Sequence, residues 1–331
     1  PAPLGEHERV LMAHGGGGRL MRELIGQVFA ARLEPQHETD AATLSLDGKR
    51  LAFTTDSFVV RPIFFPGGDI GSLAVHGTVN DLAMAGAEPV ALSAAFILEE
   101  GLELETLRRV VESMAEAARR AGVRIVTGDT KVVERGHADQ LYITTAGIGL
   151  LVHDGELAPW RVSEGDEVVL SGDIGRHGMA VMSAREGLTF ESEIVSDSAP
   201  VHREALGLLE NGIRVHCMRD LTRGGLASAV IEIALAARVR VELDESRIPV
   251  REDVRAACEL LGFDPLYVAN EGRFVAFVAS GEGERAAALL PGGAVIGRVT
   301  QARAGAVTLR SLIGAGRVLD LLSGEQLPRI C

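Results

Sequence analysis

The sequence has no apolar run near the roughly 18 residues that a membrane-spanning helix needs. Its opening stretch, PAPLGEHERVL, lacks the basic-then-apolar order of a secretory leader. There is no block of lysine or arginine: 46 acidic residues outweigh 33 basic ones for a net charge of −13, so the summed field repels nucleic acid and anionic lipid. The three cysteines, Cys217, Cys258 and Cys331, include no CxxC pair, which argues against a disulfide framework or a structural zinc site. Neither a P-loop nor a GxGxxG opening a helix after a strand is present. These absences predict a cytoplasmic chain with no nucleic-acid or membrane partner. Any polyanionic ligand has to arrive with a metal.

What is present is an apolar, glycine-rich chain. Its 331 residues, 47% hydrophobic, suit about two domains. Glycine stands at 39 while proline is only 12, a composition of tight turns and backbone-lined sites rather than of disorder. TLSLDGKRLAFTTDSF reads as a hairpin turning at Asp47-Gly48. A helix rich in small residues, IGSLAVHGTVNDLAMAGA, precedes the buried strand PVALSAAFIL. ELETLRRVVESMAEAARRAG is the clearest helix, apolar at Leu107, Val110, Met114 and Ala118 and ended by Gly122. Strands VRIVTGD and QLYITTAGIGLLV follow, and 153–165 has the composition of a boundary. The second half reads as strands DEVVLSG, RVRVEL, PLYVANEGRFVAFVAS, AVIGRVT and AVTLRSL, with helices at about 177–186, 201–211, 225–237, 252–261 and 282–290. Interleaving makes both halves α/β or α+β. Past Arg317 the chain thins into a tail, where Gly324 and Pro328 discourage a helix.

Several residues are not explained by packing. Gly15, Gly16, Gly17 and Gly18 precede an apparent helix, and amides at a helix start suit phosphate, although four glycines fit a flexible linker equally well. Asp56 ends a strand, Asp69 sits in the loop FPGGDIG, and Asn80-Asp81 lie inside an otherwise apolar helix, where capping does not account for them. Asp129 with Thr130, and Asp220 before Gly224, stand where helix caps and turns are also common. Several aspartates and a glycine loop together suit a magnesium–nucleotide site. His14, beside the glycines, is the one histidine of interest. Cys258 shares a helical face with Val254 and Leu261 and Cys217 alternates like a strand residue, so both read as core; Cys331 belongs to no periodic element.

Taken in order, HGGGG, TTDSFVVRPIFFPGGDIG, NDLAMAGAEP, TGDTKVV, MRDLTRGGLAS, NEGRFV and the final PRIC closely resemble the HypE family of hydrogenase maturation factors, over nearly the whole chain. HGGGG lacks the reactive cysteine of selenophosphate synthetases, and aminoimidazole ribonucleotide synthetases lack the terminal thiol, although both share the superfamily. The resemblance implies a two-domain α/β (α+β) fold like aminoimidazole ribonucleotide synthetase. Its N-terminal domain would form a dimeric β-barrel core, and its C-terminal domain would be ferredoxin-like. The corresponding segments are a glycine-rich lid at 1–40, an ATP-binding and dimerisation domain at 41–155, a C-terminal domain at 156–316 and a flexible tail at 317–331.

The implied activity is ATP-dependent dehydration of a carbamoyl group on Cys331 to thiocyanate, supplying cyanide for the NiFe-hydrogenase iron centre. ATP and Mg2+ would be held by Gly15 to Gly18, Asp56, Asp69, Asn80, Asp81, Asp129, Thr130 and Asp220. Of these, Asp56, Asp81, Asp129 and Asp220 would hold the metal. Cys331, Lys131 and Glu271 would carry the chemistry, although Lys131 also reads as a solvated lysine and Glu271 as a turn acid beside Gly272. Arg329 is expected to offset the chain-end carboxylate. The implied partners are a second copy, a HypF-type carbamoyltransferase and a HypC/HypD-type iron scaffold. Two alternatives stay open: a non-catalytic nucleotide-responsive carrier, and another ATP-dependent synthetase of the superfamily.

Overall fold

The computed structural model describes residues 9–33, 39–188, 193–302, 305–322, 327 and 329–331. The expectations for Gly324, Pro328 and residues 1–8 and 34–38 of the lid lie outside them. The described chain begins with a 3-10 turn at Met12–Gly15, followed by α1 (Arg19–Leu24), a π-helical stretch Ile25–Ala30 and the short α2 (Ala31–Leu33).

The N-terminal domain is a five-stranded sheet covered on one face. β1 (Ala42–Leu46) and β2 (Lys49–Phe58) form the hairpin, with Asp47 and Gly48 both at positive φ in its turn. The short pair β3 (Phe64–Phe65) and β4 (Gly68–Asp69) leads into α3 (Ile70–Met84), followed by β5 (Ala87–Glu99), α4 (Leu104–Ala121), β6 (Arg124–Val133) and β7 (Leu141–Leu151). The strand order is β1-β2-β7-β5-β6, with β5 and β6 parallel and the α4 crossover between them. Helix α3 is apolar all round because it is sandwiched between the sheet and α4. Ile70, Leu73, Val75, Val79 and Leu82 are fully buried in it, each contributing about 1.5–3 kcal/mol. Its first turn is closed by Asp69, whose carboxylate accepts from the Gly71 and Ser72 amides at 2.7 and 3.2 Å.

The closed barrel expected from the resemblance is not formed by one chain. The sheet ends at β1 and β6, and its outer face carries exposed apolar side chains, among them Phe53, Ile97 and Ile148.

The C-terminal domain comprises β8 (Glu167–Leu170), α5 (Arg176–Glu186), α6 (His202–Glu210), β9 (Val215–Asp220), α7 (Gly225–Ala237), β10 (Val239–Asp244), α8 (Glu252–Leu261), β11 (Phe274–Val278), α9 (Gly283–Ala288), β12 (Ala294–Ala302), β13 (Ala306–Arg310) and β14 (Gly316–Leu319). These strands form one seven-stranded sheet, order β14-β13-β10-β12-β8-β11-β9, where a ferredoxin-like unit has four strands. Alternate residues feed two cores: Val168, Leu170, Val275 and Phe277 face α7, and Val169, Phe274 and Ala276 face α6 and α9.

Two expectations change here. PLYVANEGRF is a strand only from Phe274, because Asn270 is tied into a loop. Its side chain accepts the Gly175 amide at 2.7 Å and donates to the Leu221 carbonyl at 3.2 Å. The tail does not begin at Arg317, which pairs within β14 opposite Leu309. Helices α5 and α8 pack with the N-terminal core, and Leu327 and Ile330 of the tail join that same cluster.

Candidate functional site

Four aspartates converge on one cavity of about 510 Å³. Asp56 comes from β2, Asp81 from α3, Asp220 from the end of β9, and Asp40 from the segment just before β1. Ligand oxygens of Asp40, Asp81 and Asp220 all lie within 4.8 Å of one another. Thr54 Oγ1 donates to Asp81 at 2.6 Å and Thr222 Oγ1 to Asp220 at 3.4 Å. Burial, then the charges of Asp56, Asp220 and Asp40, holds the Asp81 carboxyl well above the usual range. Burial followed by Asp40 and Asp56 does the same to Asp220, and burial also raises Asp56. Asp40 is pushed up to about 6 by burial, against the pull of Arg219. Two like charges at such a distance repel by about 3 kcal/mol at an effective dielectric of ~20, so the cluster persists ionised only with a counter-charge.

Three guanidiniums also line this cavity. Arg219 pairs with Asp40 at 2.7 Å and with Glu232 at 2.9 Å, and so is committed to fixing Asp40. Arg223 donates from Nη1 to the Gly15 carbonyl at 3.2 Å, and Arg22 reaches in from α1. Five carboxylates against three guanidiniums leave a formal excess of two negative charges. Such a hard-oxygen set of divalent deficit suits Mg2+. The Asp40 Oδ2 atom is buried with no hydrogen-bond partner among the described residues, as expected of an acceptor reserved for a cation.

The glycine segment is seated against this cavity. Gly17, at φ +73°, lies so close that a Cβ would come 2.8 Å from the Arg223 carbonyl oxygen; at Gly18 a Cβ would stand 2.4 Å from the Leu322 carbonyl oxygen. Glycine is required at both for this approach. Gly16 lines a smaller cavity beside Arg223, Leu327 and Ile330; Gly15 contributes its carbonyl, and His14 Nδ1 accepts the Leu11 amide at 2.8 Å.

The tail ends in the same place. Ile330 is buried and Cys331 is partly buried, with Val59 N–H donating to a main-chain oxygen of Cys331 at 3.0 Å. Burial pushes the Cys331 thiol up to about 12; Arg223 opposes this, and Glu271, Asp56 and Asp220 reinforce it. The thiol is therefore held neutral beside Arg223, Asp56 and Asp220, which line the acid cavity. Glu271 is buried, its Oε1 has no hydrogen-bond partner among the described residues, and its carboxyl is held well above the usual range by burial, then by Asp220, Asp197 and Asp56.

Other residues singled out from the sequence lie elsewhere. Asp69 spends its carboxylate on capping α3. The Asn80 amide is committed to the main chain, donating to the Ala199 and Glu271 carbonyls at 3.1 and 3.3 Å and accepting from Val201 N–H at 2.8 Å. It braces the Glu271 loop against α3. Asp129, Thr130 and Lys131 lie on exposed β6, three strand spacings or about 14 Å from β2, and Lys131 donates to Asp129 at 2.5 Å. Arg329 does not reach the chain end; it pairs with Asp139 at 2.7 Å and donates to the Val59 carbonyl at 3.0 Å. Sequence reasoning missed Asp40 and Arg223. The signal for Asp40 was an acid immediately before a strand that carries no solvent-facing turn, and for Arg223 a guanidinium beside two glycines at a helix entrance.

Comparison with known proteins agrees with this geometry. Residues 38–151 match the model of the AIR synthase related protein N-terminal domain, and 163–310 that of its C-terminal domain. The chain is 49% identical over 335 residues to carbamoyl dehydratase HypE of Rhodobacter capsulatus, covering 98% of each chain. A crystal structure of hydrogenase maturation protein HypE in complex with ATP superposes with a TM-score of 0.83 at 46% identity, covering 98% of this chain and all of that one. The HypE chain of a HypE–HypF complex superposes with a TM-score of 0.85 at 44% identity, over 90% of this chain and 99% of that one.

Proposed function

The chain belongs to the HypE carbamoyl dehydratases, and we propose that it converts a carbamoyl group carried on Cys331 into a thiocyanate with the use of ATP. The product would supply the cyanide ligands of a NiFe-hydrogenase iron centre. The observation that carries this reading is the seat of Cys331: the thiol lies among Arg223, Glu271, Asp56 and Asp220, and of these Arg223, Asp56 and Asp220 also line the nucleotide-sized cavity.

The chemistry follows from the leaving group. An S-carbamoyl cysteine, S–C(=O)–NH2, does not lose oxide. Transfer of the ATP γ-phosphoryl to the carbonyl oxygen gives S–C(OPO3)=NH after one N–H proton leaves. Loss of the second proton and departure of phosphate then form S–C≡N, so one ATP becomes ADP and phosphate and the amide loses the elements of water. Glu271 would take protons from nitrogen, since burial raises its carboxyl well above the usual range and makes its carboxylate a stronger base. Arg223 faces both the sulfur and the acids and would steady the anionic phospho-intermediate. Asp40, Asp81 and Asp220, with Asp56 beside them, would hold Mg2+, which supplies charge neutralisation at the transferring phosphoryl. Gly15 to Gly18, resting on Arg223 and Leu322, would close over the triphosphate.

The neutral, partly buried thiol is a poor nucleophile, so loading would take place with the tail out of this seat, at a HypF-type carbamoyltransferase. The carried group would pass later to a HypC/HypD-type scaffold, all in the cytoplasm; among the described residues no helix is long and apolar enough to cross a membrane. The open β6 edge and the exposed apolar outer face of the N-terminal sheet suit a second copy of this chain, closing the barrel between subunits. Asp129, Thr130 and Lys131 would then act at the subunit boundary rather than within one chain. The test is the mass of the Cys331 peptide after incubation with carbamoyl phosphate, a HypF-type partner and Mg-ATP. A cyano adduct is expected; a carbamoyl adduct that persists with ATP would leave only a carrier.

A further inference from the structure

The tail is held by contacts that differ in kind. Arg329 is gripped nearer the surface: half-buried Arg185 donates from Nη2 to the Arg329 carbonyl at 2.7 Å, and the main-chain N–H of exposed Arg61 donates to the same oxygen at 3.2 Å. Ile330, next to the cysteine, is held from inside. His177, fully buried in the first turn of α5, has its Nε2 2.8 Å from the Ile330 carbonyl oxygen. A carbonyl only accepts, so Nε2 carries the proton. Nδ1 is then the acceptor, and the Ser196 hydroxyl donates to it at 2.8 Å.

The imidazole is fixed from every side. Its ring stands edge-on to Phe65 with centroids 5.3 Å apart. The His177 main-chain N–H donates to Asp197 Oδ1 at 2.9 Å, while Asp197 Oδ2 accepts the Glu271 and Gly272 amides at 3.3 and 3.2 Å. The residue that holds the tail and the loop that carries the base thus share one carboxylate. Burial lowers the His177 pKa, which keeps the ring in the neutral form that this arrangement uses.

We propose that His177 is a positioning residue whose hydrogen bond to the Ile330 carbonyl sets the share of time that Cys331 spends inside the acid cavity. This rests on the reading that Cys331 carries the group. Loading needs the thiol outside and dehydration needs it inside, so one bond that favours the inward position acts on the two half-reactions in opposite directions. A residue with a merely structural role would weaken both together.

The test uses the full chain with His177→Phe, which keeps an aromatic ring but removes the donor, and His177→Gln, whose side-chain amide restores a donor at the Nε2 position. Without nucleotide, the rate of Cys331 alkylation by iodoacetamide, read from the mass of the tail peptide, is expected to rise about fivefold in His177→Phe, the effect of one net hydrogen bond. It should return towards the parent in His177→Gln. Buried Cys217 and Cys258 report intactness in the same digest. Carbamoyl loading at limiting partner should quicken in His177→Phe, and single-turnover dehydration of the loaded tail should slow by a similar factor. Unchanged Cys331 alkylation with both internal cysteines protected overturns the proposal, as does a parallel fall of loading and dehydration. If His177→Phe exposes Cys217 and Cys258, Ser196→Ala replaces it. That variant removes the hydroxyl that fixes the tautomer, and a smaller rise in Cys331 alkylation is expected; no rise overturns the proposal. A Cys331→Ala protein that still yields cyanide refutes the carrier role but leaves the alkylation result to stand for the tail.

Discussion

Replacing Asp81 with asparagine is expected to stabilise the metal-free protein and to abolish its response to Mg-ATP. Ligand oxygens of Asp81 lie within 4.8 Å of those of Asp40 and Asp220, a separation at which unit charges repel by about 3 kcal/mol at an effective dielectric of ~20. Proton uptake relieves most of that, because burial and its neighbours already hold Asp81 well above the usual carboxylate range. About 1 kcal/mol of relief is therefore expected from the amide, which keeps an acceptor for Thr54 Oγ1. For a chain of this size that is a rise in Tm of about 1–2 °C. With ligand the sign reverses. Mg-ATP at ~100 times its Kd stabilises the parent by about 2.7 kcal/mol, and a hundredfold weaker variant gains only about 0.4 kcal/mol at the same concentration. Calorimetric melting of both proteins with and without Mg-ATP separates the terms. A variant that melts lower without ligand and keeps the full shift with it refutes the metal assignment.

Four further outcomes are open to measurement. His76 is buried beside Ser198, and burial, with Arg120 adding, lowers its pKa to about 4. Below an unfolded value near 6.5 the unfolded chain binds the extra proton, so stability falls with pH through that window, by about 2 kcal/mol at pH 5. Urea melts of His76→Gln should show a shallower fall, and an identical pH profile excludes the assignment. Gly17→Ala meets both a positive φ and the Arg223 backbone, so ATP affinity by titration calorimetry should drop at least tenfold with the global fold intact. Ile97→Asp and Ile148→Glu, on the exposed apolar outer face of the N-terminal sheet, should yield monomers by light scattering; dimers of parental strength would show that copies meet elsewhere. Ile330→Ala removes a buried tail anchor and should speed Cys331 alkylation without changing the global Tm.

Local signals read well where one physical cause dominates. The α4 pattern, with Gly122 at φ +71° closing its end, is set by its own periodicity, and the five helices of the second half lie within a residue or two of their expected bounds. Asp81 stood out because a charge inside an apolar helix needs a partner. Legibility failed where long-range pairing decides. PLYVAN has strand composition, yet Asn270 and Asp197 pin it as the loop that presents Glu271. Asp40 looked like a boundary residue because the Arg219–Glu232 pair that fixes it lies some 180 residues later in the chain. Asp69 and Asp129 look alike in sequence, but one is consumed by a helix cap and the other sits on an open sheet edge. The tail has the composition of a mobile end, and its docking depends on Val59, His177 and Arg185, none of which is near it in sequence.

The central claim is that Cys331 carries the reacting group into its own acid cavity. It is tested most directly by loading the full-length protein with carbamoyl phosphate and a HypF-type partner, removing the partner, adding Mg-ATP and reading the mass of the Cys331 peptide over time. The carbamoyl adduct is expected to become a cyano adduct with one ATP consumed per tail, and the Cys331→Ala protein is expected to consume none. A carbamoyl adduct unchanged by Mg-ATP, or cyanide formed by the Cys331→Ala protein, would contradict it.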